Sequence, residues 1–214
     1  MVLRRLDLPN VITVARIVAC PVLVVLILSP DPARLALAFL VFVSAALSDL
    51  WDGYLARKHG WITDAGKLLD PVADKLLTVS TLVPFYVVSH RPGAVNEIPW
   101  WGALPLWVLA VIFGREIVVT LFRGWALRRG SVLSAGPSGK IKAFIQNVFC
   151  GSLLLWYVLA RMAPEWGWEE TLGWIVWSWF HQAVTALTLV VALVLTVYSM
   201  GVYYRENRQL LRHQ

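Results

Sequence analysis

The sequence predicts an all-α integral membrane protein with six transmembrane helices, and three observations lead there. Hydrophobic residues make up 58% of the 214 and the mean hydropathy is +0.66, too apolar for an ordinary soluble domain of this size. Apolar runs of spanning length lie near 8–29, 33–57, 67–89, 103–127, 140–162 and 182–204. Lys and Arg are then confined almost entirely to one side. With six spans, the termini and the second and fourth loops share a side that carries Arg4, Arg5, Arg57, Lys58, Arg128, Arg129, Lys140 and Arg205. The opposite side has Arg34, Arg91 and Arg161 against Asp31, Glu97, Glu165, Glu169 and Glu170. The positive-inside rule puts the first group, and with it both termini, in the cytoplasm of a multi-pass protein of the cell's inner membrane. The net charge of +6 is accounted for by topology, so membrane lipids are the expected surroundings and nucleic acid is not an expected partner. The six spans use the whole chain, 1–214, as a single membrane domain.

The first run opens at Leu8-Pro9-Asn10, where Asn10 can cap a helix beginning at Val11. Arg4-Arg5 before an apolar stretch resembles a secretory signal, but Asn10 and Arg16 interrupt it and no small-x-small site follows, so an uncleaved first span is expected. Arg16 has two readings: a side chain snorkelling to the headgroups, or a contact with a phosphate or carboxylate near a site. The second span brings Asp49 and Asp52 to its cytoplasmic end, and the third, beginning near Gly66, brings Asp70 and Asp74 to the same level. Pro71 fits a first helical turn, where the dipole also favours a charged Asp70. The outer loop 91–102 carries interface aromatics and no evident chemistry. The fourth span buries Gly114-Arg115-Glu116, and neighbours about 100° apart on a helix do not form a simple mutual pair. Glu116 can instead brace a helix contact, while Arg115 and Arg123 form a cationic wall. A Gly- and Ser-rich loop then leads to Lys140 and Lys142, which suits an anion or simply a basic cytoplasmic loop. Residues 166–179, rich in Trp, read as an outer interfacial segment or short helix in the headgroups. Cys20 and Cys150 read as small core residues, and the four His form no ligand spacing.

The chemistry concentrates between Asp49 and Asp74. On a helix, Asp49, Asp52, Gly53, Ala56 and Arg57 fall within a sector of roughly 140°, and Asp70 and Asp74, at i and i+4, share a second face. Four carboxylates converging in a low dielectric require protons or cations. All-oxygen ligands suit magnesium or manganese rather than zinc. Such a site beside Arg and Lys fits phosphoryl transfer on a lipid pyrophosphate.

These residues match D-x2-D-G-x2-A-R-x8-G-x3-D-x3-D at every fixed position, and the chain thereby resembles the CDP-alcohol phosphatidyltransferase family. The resemblance implies that family's six-helix membrane fold, a homodimer, and two divalent cations, Mg2+ or Mn2+, bound by Asp49, Asp52, Asp70 and Asp74. It further implies a CDP-lipid near Gly53, Ala56 and Gly66, Arg57 on its phosphates, and Asp74 as general base. Leu8-Pro9-Asn10 with Thr13 and Arg16, Gly114-Arg115-Glu116 with Arg123, and Ser138-Gly139-Lys140 with Lys142 and Gln146 are similar to the phosphatidylglycerophosphate synthase branch. Thr120 and Ala143 depart from it. That likeness implies phosphatidyl transfer from CDP-diacylglycerol to sn-glycerol 3-phosphate, with Arg115, Arg123, Lys140 and Lys142 on the acceptor phosphate. Rival readings are the same transfer to inositol phosphate, phosphatidylglycerol or serine, and a carboxylate-lined cation transporter. A transporter wants carboxylates near the midplane, whereas these lie toward one face; an intramembrane prenyltransferase wants two Asp clusters, and the chain has one.

Overall fold

Each apolar run folds as a helix, which satisfies its backbone internally as a lipid environment demands. In order these are α1 (Leu8–Ile27), α2 (Pro32–His59), α3 (Asp64–Ser89), α4 (Leu106–Arg128), α5 (Pro137–Glu165) and α6 (Leu172–Arg212), with a short 3-10 turn at Ala94–Asn96. The computed structural model describes the backbone of residues 8–59, 64–129 and 137–212, and side chains over 10–48, 69–129 and 139–205. Four stretches among the described residues are long and apolar enough to cross a membrane: Asn10–Ile27, Leu69–Ser89, Gly139–Glu165 and Leu172–Arg205. Pro32–Ser48 is a shorter apolar helix. The interior of α4 is set apart by Arg115, Glu116 and Arg123.

Cross-helix contacts fix the directions. Thr13 meets Asp70 and Arg16 meets Asp74, while Arg91, just past α3, donates to the Leu28 carbonyl just past α1 at 2.7 Å; α1 and α3 therefore run parallel. Thr78 meets Gln146 and Thr81 meets Cys150, so α5 runs parallel to both. Ser152 pairs with Thr185, and Trp156 with the earlier Trp174, which makes α6 antiparallel to α5. The odd-numbered helices thus begin at one end of the bundle, and that is the end where the charged side chains gather.

Lipid supplies little hydrophobic drive between helices, so close packing must hold them. Gly151 of α5 lets the Phe42 ring of α2 approach to 3.5 Å from where a Cβ would stand. Phe85 sets its edge against Phe149 and Tyr157 at ring distances of 6.4 and 5.9 Å. Cys20 and Cys150 are buried free thiols in this core, as expected.

Three expectations need correction. Asn10 lies inside the first turn of α1, which begins at Leu8, so it does not cap a helix starting at Val11. Pro71 lies in the interior of α3, which begins at Asp64; an acid at the first position favours starting there, and the first-turn argument for Asp70 lapses. The Trp-rich segment is not separate, because α6 begins at Leu172. Trp174 stacks on Trp156 at 6.4 Å, and His181 stacks on Trp177 at 4.6 Å. His181 Nε2 also lies 2.9 Å from the Ser152 carbonyl. These contacts give 172–181 a protein partner in α5.

Candidate active site

At the charged end, α1 presents Thr13 and Arg16 on one face, three residues apart, and α3 presents Asp70 and Asp74, four apart. Because the helices run parallel, the pairs fall into register. Thr13 Oγ1 donates to Asp70 Oδ1 at 2.9 Å. Arg16 Nη1 donates to Asp74 Oδ1 at 3.3 Å. The Arg16 side chain is 0% exposed and that of Asp74 57% exposed. A buried cation without an anion would be strongly destabilising, so Arg16 is committed to the carboxylate and does not snorkel. Asp74 keeps an open side.

The second cluster joins α4 to α5. Lys142 donates to Glu116 Oε1, and Arg115 Nη1 reaches the same oxygen at 3.1 Å. This corrects the expectation that adjacent Arg115 and Glu116 cannot pair: the long guanidinium arm swings across the angle that separates the two Cβ atoms. Arg115 also borders the start of α5, its Nη2 lying 3.6 Å from where a Cβ on Gly139 would stand. Lys142 is buried and Lys140 exposed, as two residues about 200° apart on a helix should be. Arg123 points elsewhere, its guanidinium 5.9 Å from the centre of the Tyr203 ring on α6. Of the four cations expected around an acceptor phosphate, then, Arg115 and Lys142 are joined through Glu116, Arg123 lies against Tyr203, and Lys140 is exposed next to Gly139, which Arg115 borders.

A polar chain links the two clusters. Thr78, one turn beyond Asp74, donates to the Asp74 backbone carbonyl at 3.1 Å, and Gln146, one turn beyond Lys142, donates from Nε2 to Thr78 Oγ1 at 3.4 Å. Arg115 Nε, Arg123 Nε and Gln146 Oε1 are buried and have no hydrogen-bond partner among the described residues. Lys75 Nζ donates to Thr120 Oγ1 at 2.7 Å and ties α3 to α4 beside them.

Asp49, Asp52, Gly53, Ala56 and Arg57 lie on the helical backbone of α2, and Gly66 on that of α3; their side chains fall outside the described residues. Among the described residues no three His, Cys, Asp or Glu side chains gather as a metal site would require. Asp70 and Asp74 are two hard oxygen donors one turn apart, both on exposed residues.

A sequence model of the CDP-alcohol phosphatidyltransferase family matches residues 6–198. The chain belongs to this family. It is 34% identical to a probable phosphatidylglycerophosphate synthase of Mycobacterium tuberculosis, over 71% of this chain and 68% of that one. It is 31% identical to a CDP-diacylglycerol–glycerol-3-phosphate 3-phosphatidyltransferase of Salmonella typhimurium, over 95% of this chain and 96% of that one. The Bacillus subtilis protein of the same description is 34% identical over 70% of this chain and 77% of its own. For a member of this family, the contacts that sequence reasoning missed are those of Thr78 and the sharing of Glu116 by two cations. The i, i+4 spacing of Asp74 and Thr78 was visible, but the pairing of Thr78 with Gln146 depends on α3 lying beside α5.

Proposed function

We propose that this chain transfers the phosphatidyl group of CDP-diacylglycerol to the primary hydroxyl of sn-glycerol 3-phosphate, forming phosphatidylglycerophosphate and releasing CMP. The observation that carries the reading is the exposed Asp74 carboxylate fastened to a wholly buried Arg16, one turn from Asp70, in a CDP-alcohol phosphatidyltransferase. Relatives named for this transfer support the choice of acceptor.

Asp49, Asp52, Asp70 and Asp74 make an all-oxygen donor set that fits two divalent cations, magnesium or manganese. Bound there, these ions would neutralise the pyrophosphate oxygens and the departing phosphate. Asp74 takes the proton of the acceptor hydroxyl as that oxygen bonds to the phosphorus carrying diacylglycerol. The bond from this phosphorus to the oxygen of the CMP phosphate breaks, and CMP leaves. Arg16 keeps the carboxylate aimed throughout. Arg57 contacts the nucleotide phosphates, and the small Gly53, Ala56 and Gly66 let the cytidine lie against the backbone. Arg115 and Lys142 hold the acceptor phosphate, with Arg123 and exposed Lys140 adding positive charge around it, and Glu116 keeps Arg115 and Lys142 together against their mutual repulsion until that phosphate arrives.

Six helices spanning the inner membrane, with the site and both termini in the cytoplasm, give the water-soluble acceptor and the lipid donor access to one point. We place the whole chain, 1–214, in one membrane domain, working as a homodimer among membrane lipids. The test is CMP release by purified protein given CDP-diacylglycerol, magnesium or manganese, and a panel of acceptors. Glycerol 3-phosphate is expected to support release far above inositol phosphate, phosphatidylglycerol and serine. Release with inositol phosphate alone would overturn the acceptor assignment.

A further inference from the structure

We infer that Gln146 reads a second hydroxyl of the acceptor alcohol, adjacent to the one that attacks, and so selects a polyol phosphate. The inference rests on the transfer reaction proposed above. Gln146 is 3% exposed, and an amide so buried needs partners for its two donors and its carbonyl oxygen. Its Nε2 reaches Thr78 Oγ1, while Oε1 has no hydrogen-bond partner among the described residues.

The amide cannot be turned over to relieve this. Thr78 has a single hydroxyl proton and spends it on the Asp74 carbonyl, so toward Gln146 it can only accept. The amide nitrogen must therefore face Thr78, and Oε1 must face away from it. What remains is a buried acceptor that only a donor can satisfy.

Its position defines that donor. Gln146 stands one turn past Lys142 on α5, about 6 Å along the axis, and one hydroxyl away from the backbone of Asp74. A small phosphorylated alcohol with its phosphate on Lys142 and Arg115, and its attacking hydroxyl at Asp74, brings its middle carbon toward Gln146. A hydroxyl on that carbon donates to Oε1. A ketone there brings two acceptors face to face, and a methylene leaves Oε1 unsatisfied.

The experiment compares kcat/KM, by CMP release from CDP-diacylglycerol, for glycerol 3-phosphate, 3-hydroxypropyl phosphate and dihydroxyacetone phosphate. The last two replace the middle hydroxyl by hydrogen and by a carbonyl. The unaltered protein is expected to favour glycerol 3-phosphate over both by about 10²-fold or more. Gln146→Met is expected to lose that factor for glycerol 3-phosphate while staying within about threefold of the unaltered protein for 3-hydroxypropyl phosphate. Equal loss with both substrates makes Gln146 a packing residue and overturns the inference while the transfer reaction stands. Equal use of all three alcohols by the unaltered protein overturns it too, without relying on any variant to fold. Absence of release with glycerol 3-phosphate from the unaltered protein, when another alcohol is used, defeats the proposed reaction itself and this inference with it.

Discussion

The two ends of the helix bundle treat polar groups in opposite ways. At the end where α3 finishes, polar side chains are spent mostly on the backbone. Arg91 donates to the Leu28 carbonyl. Tyr157 Oη donates to the Asn96 carbonyl at 2.9 Å. Arg161 donates to the Tyr157 carbonyl and to Asn96 Oδ1, and the Leu104 amide donates to Ser89 Oγ at 2.9 Å. At the end where α3 begins, side chains pair with side chains, Asp74 is left half open, and Arg115 Nε, Arg123 Nε and Gln146 Oε1 have no hydrogen-bond partner among the described residues. Leaving a buried polar group unmatched costs about 1–3 kcal/mol. Among the described residues, polar groups are matched at one end and some are left unmatched at the other, as expected of an end that receives a ligand.

The largest effect that would sharpen this contrast is expected from Asp74→Asn. The substitution keeps the shape and removes the charge and most of the basicity. A general base contributes about 10²- to 10⁴-fold, so turnover should fall by at least the lower figure while binding of CDP-diacylglycerol survives better. Near-normal turnover at saturating metal would refute the base assignment, and full rescue by excess metal would leave Asp74 as a ligand only.

Next in size is Lys142→Met. It removes a buried cation shared between Glu116 and the proposed acceptor phosphate, and a hydrogen bond to a charged group is worth about 1.5–3 kcal/mol. The KM for glycerol 3-phosphate should rise about 10- to 100-fold, with a much smaller change for CDP-diacylglycerol. An equal rise for both substrates would assign Lys142 to helix packing. Lys140→Ala and Arg123→Ala act in the same direction, and exposed Lys140 should have the smaller effect, about threefold in the same KM. The smallest kinetic effect is expected at the far end. Asn96→Ala strips Arg161 of a side-chain acceptor and should lower the thermal midpoint while leaving kcat and both KM values unchanged. A kinetic effect there would erase the distinction between the ends.

Much of this was legible from local pattern. The apolar runs located the helices because length and hydropathy are properties of a single segment. The charged motif was readable because fixed spacing on a helix fixes a face. What failed were inferences about neighbours and reach. Pro71 looked like a first-turn residue of a helix beginning near Gly66, because a proline is most at home there, yet the helix begins at Asp64, about two turns before the proline. The segment from 172 looked separate from the last span because the stacking of Trp174 on Trp156, which sits on another helix, could not be read from its own sequence. Arg115 and Glu116 looked unable to pair because backbone angle was weighed and side-chain length was not. The different burial of Lys140 and Lys142 was available from their spacing, but which of them turned inward depended on Glu116 lying across from α5.

The most direct measurement sets the two ends against each other. Asp74→Asn and Asn96→Ala would be prepared alongside the unaltered protein, and CMP release and thermal midpoint read on the same samples. The account predicts that Asp74→Asn loses turnover by at least about 10²-fold even when assayed well below its midpoint, which also falls because buried Arg16 loses its anion, and that Asn96→Ala loses midpoint with its turnover retained. Loss of turnover in Asn96→Ala, or retained turnover in Asp74→Asn, would contradict it.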